Sequence, residues 1–210
     1  MSVPATLLAH PDRLRWNSRY GAGFVPSFAA HPLAVRALAM ELPAGPVLDL
    51  ASGPSGSALA AAAMGRTVTA VDCSDVALGL LAAEAGRRGL AELITLVHAD
   101  LTAWRPERGR YALVLCTGYW DRAAFAGAAE AVACGGLLAW EAFTVAARRA
   151  RPGMPAAWCL GPGEPAALLP PGFAVLDQRD QPDQPGRSDR PERPAAVKRS
   201  MLARNVATVP

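Results

Sequence analysis

The chain has 210 residues, of which 51% are hydrophobic and 19% are charged, and its formal net charge is +3 at pH 7. This length and composition predict one soluble α/β domain with a full core and argue against a second domain. The small charge imbalance, with acids interleaved among the C-terminal arginines, argues against a nucleic-acid-binding surface. No apolar run approaches the length of a membrane span, and residues 1–4 lack the basic flank of a signal peptide, so we expect a cytoplasmic protein.

The chain begins with residues 1–11, which lack periodicity and are expected to be a flexible terminus. A short helix is predicted over residues 12–20, with Trp16 and Tyr20 one turn apart. Two glycines, at 21 and 23, follow this helix and make it a candidate lid with a hinge. The alternative that both aromatic side chains only pack on the domain stays open.

The segment 45–59 predicts a short apolar strand, a tight loop of small residues and an alanine-rich helix. This order places a ligand at the carboxyl edge of a parallel sheet. Asp49 lies between two leucines of the strand, where a buried carboxylate needs a partner. That partner is either the amide groups of the following turn or a bound cation. Pro54 has no N–H in the middle of the loop, so the loop is poorly suited to a pyrophosphate.

The rest of the chain alternates strands and helices. Further helices are predicted at 32–42, 55–64, 75–88, 122–133 and 164–169, and strands at 46–50, 67–72, 93–98, 111–117, 137–143, 172–178 and 195–203. The last two strands are joined by the polar segment 180–193, which is too short for a crossover helix, so they must be antiparallel. The predicted fold is α/β: a Rossmann-like, seven-stranded sheet, mostly parallel with an antiparallel C-terminal strand, and helices on both faces. One domain is expected over 12–204, with 205–210 as a tail.

Acidic residues recur at the ends of the predicted strands. Asp49, Asp72 and Asp100 lie at or near the carboxyl ends of three successive strands, and Glu141 lies near the end of the fifth. These ends share one edge of a parallel sheet, so the four carboxylates are expected to ring one cleft. Asp72 follows Gly53 by about 20 residues, the place from which an acid binds ribose hydroxyls in βαβ nucleotide sites.

The four cysteines, at positions 73, 116, 134 and 159, form no Cys-x-x-Cys pair, and no His-x-x-x-His run accompanies them. Their spacing predicts reduced thiols and no metal site. Cys116 is a minor candidate nucleophile, because no base is identifiable beside it.

Together these motifs resemble the class I S-adenosylmethionine-dependent methyltransferases. The resemblance covers about 12–204, and its strongest segments are 47–53, 68–74, 98–101, 135–138 and the closing antiparallel pair. More narrowly, the residues at 16–20, 141–144 and 161–164 are similar to small methyltransferases related to the tellurite-resistance and thiopurine group. The loop departs from the family at Ala51 and Ser55, where glycine is usual. Both side chains reduce the space through which the cofactor would approach the loop backbone.

The resemblance implies S-adenosylmethionine as cofactor and S-adenosylhomocysteine as product. It places Asp49 and Gly53 at the methionine end, Asp72 at the ribose and Asp100 at the adenine amino group, with Trp16 and Tyr20 closing over the site. The full set of implied cofactor contacts is Trp16, Tyr20, Asp49, Ala51, Ser52, Gly53, Asp72, Cys73, Asp100, Leu101, Thr117 and Gly118. The acceptor is implied to face Tyr119, Trp120 and Glu141.

The predicted reaction is in-line attack of a substrate lone pair on the sulfonium methyl group. The short chain leaves no recognition domain, which favours a small-molecule acceptor of unspecified identity; the oligomeric state is left open. Candidate bases are Tyr20, Asp121, Glu141 and His31, and none is preferred.

Two other classes of function compete with methyl transfer. One is a non-catalytic cofactor-binding or scaffold domain that keeps the fold, for which the Ala51 and Ser55 departures speak. The other is a nicotinamide-dependent oxidoreductase, against which Pro54, the missing third loop glycine and the antiparallel final strand all count.

Overall fold

A computed structural model describes residues 3–21, 23–182 and 197–207. Its strands are β1 (Val47–Leu50), β2 (Val68–Asp72), β3 (Ile94–His98), β4 (Tyr111–Thr117), β5 (Val132–Phe143), β6 (Phe173–Pro182) and β7 (Val197–Asn205). Its α-helices are α1 (Pro11–Tyr20), α2 (Pro32–Leu38), α3 (Gly56–Ala63), α4 (Asp75–Arg87) and α5 (Arg122–Ala131). Short 3-10 turns lie at Ala5–Leu7, Ala91–Leu93, Val145–Arg149, Ala156–Trp158 and Ala166–Leu168.

All seven strands form one sheet in the order β3-β2-β1-β4-β5-β7-β6. The pairs from β3 through β5 are parallel, whereas β7 runs antiparallel to both β5 and β6. The predicted sheet, mostly parallel with an antiparallel C-terminal strand, is therefore confirmed. The strand order reverses next to β1, between β2 and β4, which is where a ligand-binding crevice is expected in such sheets.

Apolar side chains from alternate strand positions cover the two faces of the sheet. On one face, Phe125 of α5 packs with Trp120 and Trp140. On the other, Leu59 of α3 and Leu81 of α4 belong to a core rich in small alanine side chains. The side chains of α3 are mostly alanine, so this helix lies close to the sheet, and the loop before it is held against the strand ends.

Several predicted boundaries differ from the structure. Helix α2 ends at Leu38, short of the predicted 42, and the helix predicted over 164–169 is reduced to the 3-10 turn Ala166–Leu168. Strand β5 begins at Val132, so Gly135 and Gly136 lie inside it and do not form a turn before it. The pairing with β4 shifts there, and Gly135 has φ +74°, which allows the strand to bulge and continue.

The chain ends differ in detail as well. Leu7, within the segment expected to be flexible, is only 1% exposed. Strand β6 extends to Pro182, so the first residues of the predicted polar loop are strand, and 183–193 lie outside the described residues. No helix in the described part of the chain has the length and apolarity to cross a bilayer.

Candidate functional site

The loop after β1 has the backbone of a glycine turn although alanine begins it. Ala51 has φ +48° and Gly53 has φ +57°, both in the left-handed region. For alanine this conformation costs about 1 kcal/mol. The amide of Ser52 donates to the Val71 carbonyl at 3.1 Å, which ties the strained residue to β2. The Ala51 departure from glycine is therefore accommodated by local strain, a common feature of binding loops.

Asp72, at the end of β2, connects this loop to the start of α4. Its Oδ2 accepts from the Gly53 amide at 2.8 Å and its Oδ1 from the Ser74 amide at 2.7 Å. Burial raises the pKa of Asp72, and the two amide hydrogen bonds oppose that rise. An ionised carboxylate has about four lone-pair sites, so both oxygens keep acceptor capacity for a ligand hydroxyl.

Asp49 is 3% exposed and lies on the same side of the sheet as α3. The Ser55 hydroxyl donates to its Oδ2 at 2.5 Å, and Ser55 also caps α3 by accepting from the Ala58 amide at 3.0 Å. Burial is the largest influence on this carboxyl and raises its pKa to about 7. Asp49 is therefore a buried acid that changes charge near neutral pH.

Asp100 begins the turn after β3. Its Oδ1 accepts from the Thr102 amide at 2.9 Å and its Oδ2 from the Thr102 hydroxyl at 2.5 Å. His10, which the sequence analysis did not single out, brings its Nε2 to 3.6 Å from Asp100 Oδ2. The neighbouring His98 donates from Nε2 to the Cys73 carbonyl at 2.9 Å, because a carbonyl can only accept.

The aromatic end of α1 lies over the β1 loop. Tyr20 stacks on Trp16 with ring centroids 5.5 Å apart and meets Phe24 edge-on at 5.0 Å. A Cβ atom on Gly53 would come within 3.1 Å of the Tyr20 hydroxyl, so glycine is needed for this approach. Burial, and then the nearby Asp72 carboxylate, raise the pKa of Tyr20 to about 12. These rings therefore lie beside the loop, and closure of α1 over a ligand stays a prediction.

Side chains of α1 also bind the first turn of α4, a contact that sequence reasoning missed. Asn17 donates to Asp75 Oδ1 at 2.8 Å and accepts from the Ser74 hydroxyl at 2.6 Å. Arg13 donates to the same Asp75 oxygen at 2.7 Å. In the sequence, Asp75 is already explained by the helix dipole, so nothing there signals a second partner. We call Arg13, Asn17, Ser74 and Asp75 the α1 latch.

On the β5 side of the edge, Glu141 is 2% exposed and holds several partners. Its Oε2 accepts from Gln181 at 2.8 Å, and its Oε1 lies 3.3 Å from His31 Nε2 and 3.5 Å from Lys198 Nζ. Burial alone would raise its pKa, but the hydrogen bond and charge of His31, with Lys198 and Gln181, outweigh burial and lower it. Glu141 is therefore an ionised, well-partnered carboxylate.

Of the residues after β4, Gly118 and Tyr119 make hydrogen bonds through their backbone, and Trp120 is buried in the core. The Gly118 amide donates to the Glu141 carbonyl at 2.7 Å, directly after the Thr117–Glu141 strand pair. The Tyr119 carbonyl accepts from the Trp140 indole at 3.1 Å. Trp120 is 3% exposed, packs in the core on the α5 face, and its Nε1 has no hydrogen-bond partner among the described residues. An acceptor molecule would therefore meet Tyr119 before Trp120.

Of the four acids predicted to ring one cleft, the structure brings two into direct relation through the β1 loop. Asp72 accepts a hydrogen bond from the Gly53 amide, and Asp49 accepts one from the Ser55 hydroxyl. The negative charge of Asp72 raises the pKa of Asp49. Asp100 comes two residues after the end of β3, whereas Glu141 lies within β5, which β4 separates from β1. Among residues 3–21, 23–182 and 197–207, no group of three or more His, Cys, Asp or Glu side chains is placed to hold a metal ion.

Comparison with known proteins bears on this site directly. Residues 47–136, from β1 into β5, match the family model described as a methyltransferase domain. These residues form a class I methyltransferase domain. Comparison with curated protein sequences finds no match.

Solved structures share the fold of the methyltransferase domain and the elements around it. The protein studied for conversion of a disulfide bond into a thioacetal group in echinomycin biosynthesis has a TM-score of 0.64 and 21% identity, covering 91% of this chain and 89% of its own. A geranyl diphosphate C-methyltransferase from Streptomyces coelicolor, solved with Mg²⁺, geranyl diphosphate and S-adenosylhomocysteine, has a TM-score of 0.62 and 14% identity over 82% of this chain and 75% of its own. An S-adenosylmethionine-dependent methyltransferase from Mesorhizobium loti has a TM-score of 0.61 and 19% identity over 81% of this chain and 95% of its own.

The α1 latch makes one role of the lid testable. Asn17→Ala removes a hydrogen bond to a carboxylate and one from a hydroxyl, so α1 should dock less firmly on the methyltransferase domain. We expect roughly tenfold weaker binding of S-adenosylhomocysteine in calorimetry. The matched control is Ser18→Ala, on an exposed neighbour whose side chain makes no hydrogen bond with the described residues. If the two variants bound S-adenosylhomocysteine equally well, the α1 latch would not contribute to cofactor binding.

Proposed function

We propose that the chain transfers the methyl group of S-adenosylmethionine to a small-molecule acceptor. The observation that carries this is the β1 loop, which is clipped to β2 by Asp72 and covered by Tyr20. Two buried carboxylates thus flank the loop at the carboxyl edge of the sheet, where sheets of this kind bind ligands. The motifs at 16–20 and 161–164 favour a kinship with the small methyltransferases of the tellurite-resistance and thiopurine group.

The side chains at this edge fit the cofactor in charge and hydrogen-bonding capacity. Asp49 is a buried carboxylate complementary to an ammonium group, and Asp72 has lone pairs left for two vicinal hydroxyls. In this proposal Asp100 receives the adenine amino group, with Cys73 and Leu101 on either side of the ring. Trp16, Tyr20, Ala51, Ser52, Thr117 and Gly118 complete the wall of the site.

The cofactor supplies an already activated methyl group, bound to a positively charged sulfur. The chain's task is then to hold the acceptor in line with that methyl group and to exclude water, which can contribute several kcal/mol. The aromatic faces of Tyr20 and Tyr119 favour a nearby cation. Tyr119 and Glu141 are the proposed acceptor-side residues, with Trp120 behind Tyr119.

The four candidate bases are each already engaged. Burial keeps the Tyr20 hydroxyl protonated, and Asp121 caps α5 by accepting from the Ala124 amide at 2.8 Å. Glu141 holds Gln181, and His31 accepts the Leu33 amide on Nδ1 at 3.2 Å while its Nε2 faces Glu141. We therefore attribute rate acceleration to positioning and assign no base.

We propose a small-molecule acceptor on the precedent of a protein with the same fold. The structural neighbour solved with geranyl diphosphate is a precedent for a small substrate on this fold. The competing proposal, a scaffold that keeps the fold without catalysis, drew on Ala51 and Ser55. Ala51 adopts the left-handed turn and Ser55 makes two hydrogen bonds, so the loop accommodates both departures from glycine without losing its turn. The cytoplasmic location and the lack of nucleic-acid binding stay predictions.

Asp72→Ala tests the proposed ribose contact. The variant loses the carboxylate that would bind ribose hydroxyls and that holds the Gly53 amide, so S-adenosylmethionine binding should fall below detection in calorimetry. Asp177→Ala is the matched control, because Asp177 on β6 forms partly exposed ion pairs with Arg36 and Arg179, away from the loop. Circular dichroism should show both variants folded. Unchanged affinity in Asp72→Ala would reject the ribose role.

Catalysis itself is tested on the unaltered protein. Mass spectrometry of the purified chain should detect retained S-adenosylmethionine or S-adenosylhomocysteine. Incubation with candidate acceptors should then yield S-adenosylhomocysteine; binding with no turnover of any acceptor would favour the scaffold.

A further inference from the structure

Ser55 stands where the family's loop usually has glycine, and the structure gives its hydroxyl two bonds at once. It donates to Asp49 Oδ2 at 2.5 Å and accepts from the Ala58 amide at 3.0 Å. Both Ser55 and Asp49 are buried. A hydroxyl has a single hydrogen, so the one that reaches Asp49 is fully committed to it.

Asp49 depends on this hydroxyl more than the other loop acid depends on any one partner. Asp72 accepts hydrogen bonds from two backbone amides. Among the described residues, Ser55 alone donates a hydrogen bond to the Asp49 side chain. No described residue donates to the second oxygen, Oδ1. The other charged groups that act on Asp49 are Asp72, which disfavours its ionised form, and His31, which favours it. The Cys116 thiol, on β4, is buried and its raised pKa keeps it neutral beside Asp49.

We propose that Ser55 is a positioning residue for the amino-acid end of the cofactor: its hydroxyl holds Asp49 by one oxygen and leaves the other for the cofactor's ammonium group. This rests on the proposed function, since it takes S-adenosylmethionine as the ligand. A hydrogen bond from Ser55 favours the ionised carboxylate, which is the form that pairs with an ammonium group. The serine thus makes the buried acid usable near neutral pH, a role that a glycine at this position lacks.

The helix-capping role of Ser55 must be separated from its role toward Asp49. Ser55→Ala removes both, and Ser55→Thr keeps a hydroxyl that can serve both. Ser74→Ala is the control for losing a serine cap, because Ser74 caps α4 by accepting from the Ala77 amide at 3.1 Å and does not contact Asp49. It also removes the latch hydrogen bond to Asn17, so the pH dependence of its affinity, and not the affinity itself, is the control. Losing either cap should lower the urea concentration at the midpoint of unfolding.

The decisive measurement is the affinity for S-adenosylhomocysteine between pH 6 and pH 9 by calorimetry, with no turnover required. In Ser55→Ala we expect about tenfold weaker binding at pH 7 and recovery toward the wild-type value at pH 9, where Asp49 ionises without help. Ser55→Thr should restore the wild-type pH profile. Ser74→Ala should keep the wild-type pH dependence whatever its overall affinity.

Two results would overturn the assignment. One is an equal loss of affinity at every pH in Ser55→Ala, which would reduce Ser55 to a helix cap. The other is wild-type affinity for Ser55→Ala at pH 6 to 7. Failure of the proposed function looks different, because the unaltered protein itself would then bind neither S-adenosylmethionine nor S-adenosylhomocysteine at any pH.

Discussion

Asp49→Asn is expected to stabilise the ligand-free protein above pH 7 while weakening S-adenosylmethionine binding about 100-fold. The buried carboxyl has its pKa raised to about 7, from an ordinary value of 3.8, chiefly by burial. An acid whose folded-state pKa lies above its unfolded value stabilises the fold fully below the unfolded pKa, and this contribution is lost as pH rises through the folded one. The asparagine has no charge to bury, so the variant escapes this loss.

Urea unfolding of the two proteins across pH 4 to 9 checks the stability half of this prediction. The variant's free energy of unfolding should exceed that of the unaltered chain by a growing margin from about pH 4 to pH 7, reaching a few kcal/mol, and the margin should then level off. Calorimetry at pH 8 checks the binding half. A variant that is less stable at pH 8, or that binds as tightly as the unaltered chain, would contradict the account of Asp49 given above.

Gly56→Ala is expected to destabilise the fold by roughly 2 to 4 kcal/mol. A Cβ atom at this position would lie 2.3 Å from the Ala29 carbonyl oxygen and 2.4 Å from that of Phe28. Both are backbone atoms, so the segment leading into α2 must move. Phe28 has φ +49°, a conformation that leaves little freedom for such a shift.

The matched control, Gly79→Ala, is expected to change the free energy of unfolding in the opposite direction. Gly79 is an exposed residue inside α4, where an added Cβ meets nothing within 4 Å. Gly79→Ala should therefore stabilise the chain by about 0.5 to 1 kcal/mol, since alanine is the better helix former. Urea unfolding measures both variants. If Gly56→Ala were as stable as Gly79→Ala, segment 28–29 would not be packed on α3 as described.

Much of the fold was predictable from the sequence. The bounds of β4 agree with the prediction at both ends, and β1, β2 and β3 agree within one residue. Each is a compact, mostly apolar run; β2, β3 and β4 end at a polar or acidic residue, and β1 ends where the small-residue loop begins. Such runs are a local property of the chain. The antiparallel final strand was predictable too, because a short connection allows no crossover.

Predictions were weaker where local signals conflict. Gly135 and Gly136 suggest a turn, yet they lie in a bulge inside β5, because pairing with β4 and β7 on both sides outweighs the local preference. Trp120, expected beside the acceptor, is buried in the core because Phe125 and Trp140 offer it aromatic partners. Such outcomes depend on neighbours that are distant in the sequence.

For the candidate site, the sequence by itself determined which acids stand at the strand ends and that these ends share an edge. Only the tertiary structure decided what each acid binds: Gly53 and Ser74 for Asp72, Ser55 for Asp49, and Gln181, His31 and Lys198 for Glu141. The α1 latch was equally invisible, since Asn17 and Ser74 meet only after folding. Strand ends follow from local hydrophobic patterning, whereas the partners and the ionisation of a buried carboxylate follow from how separate segments pack around it.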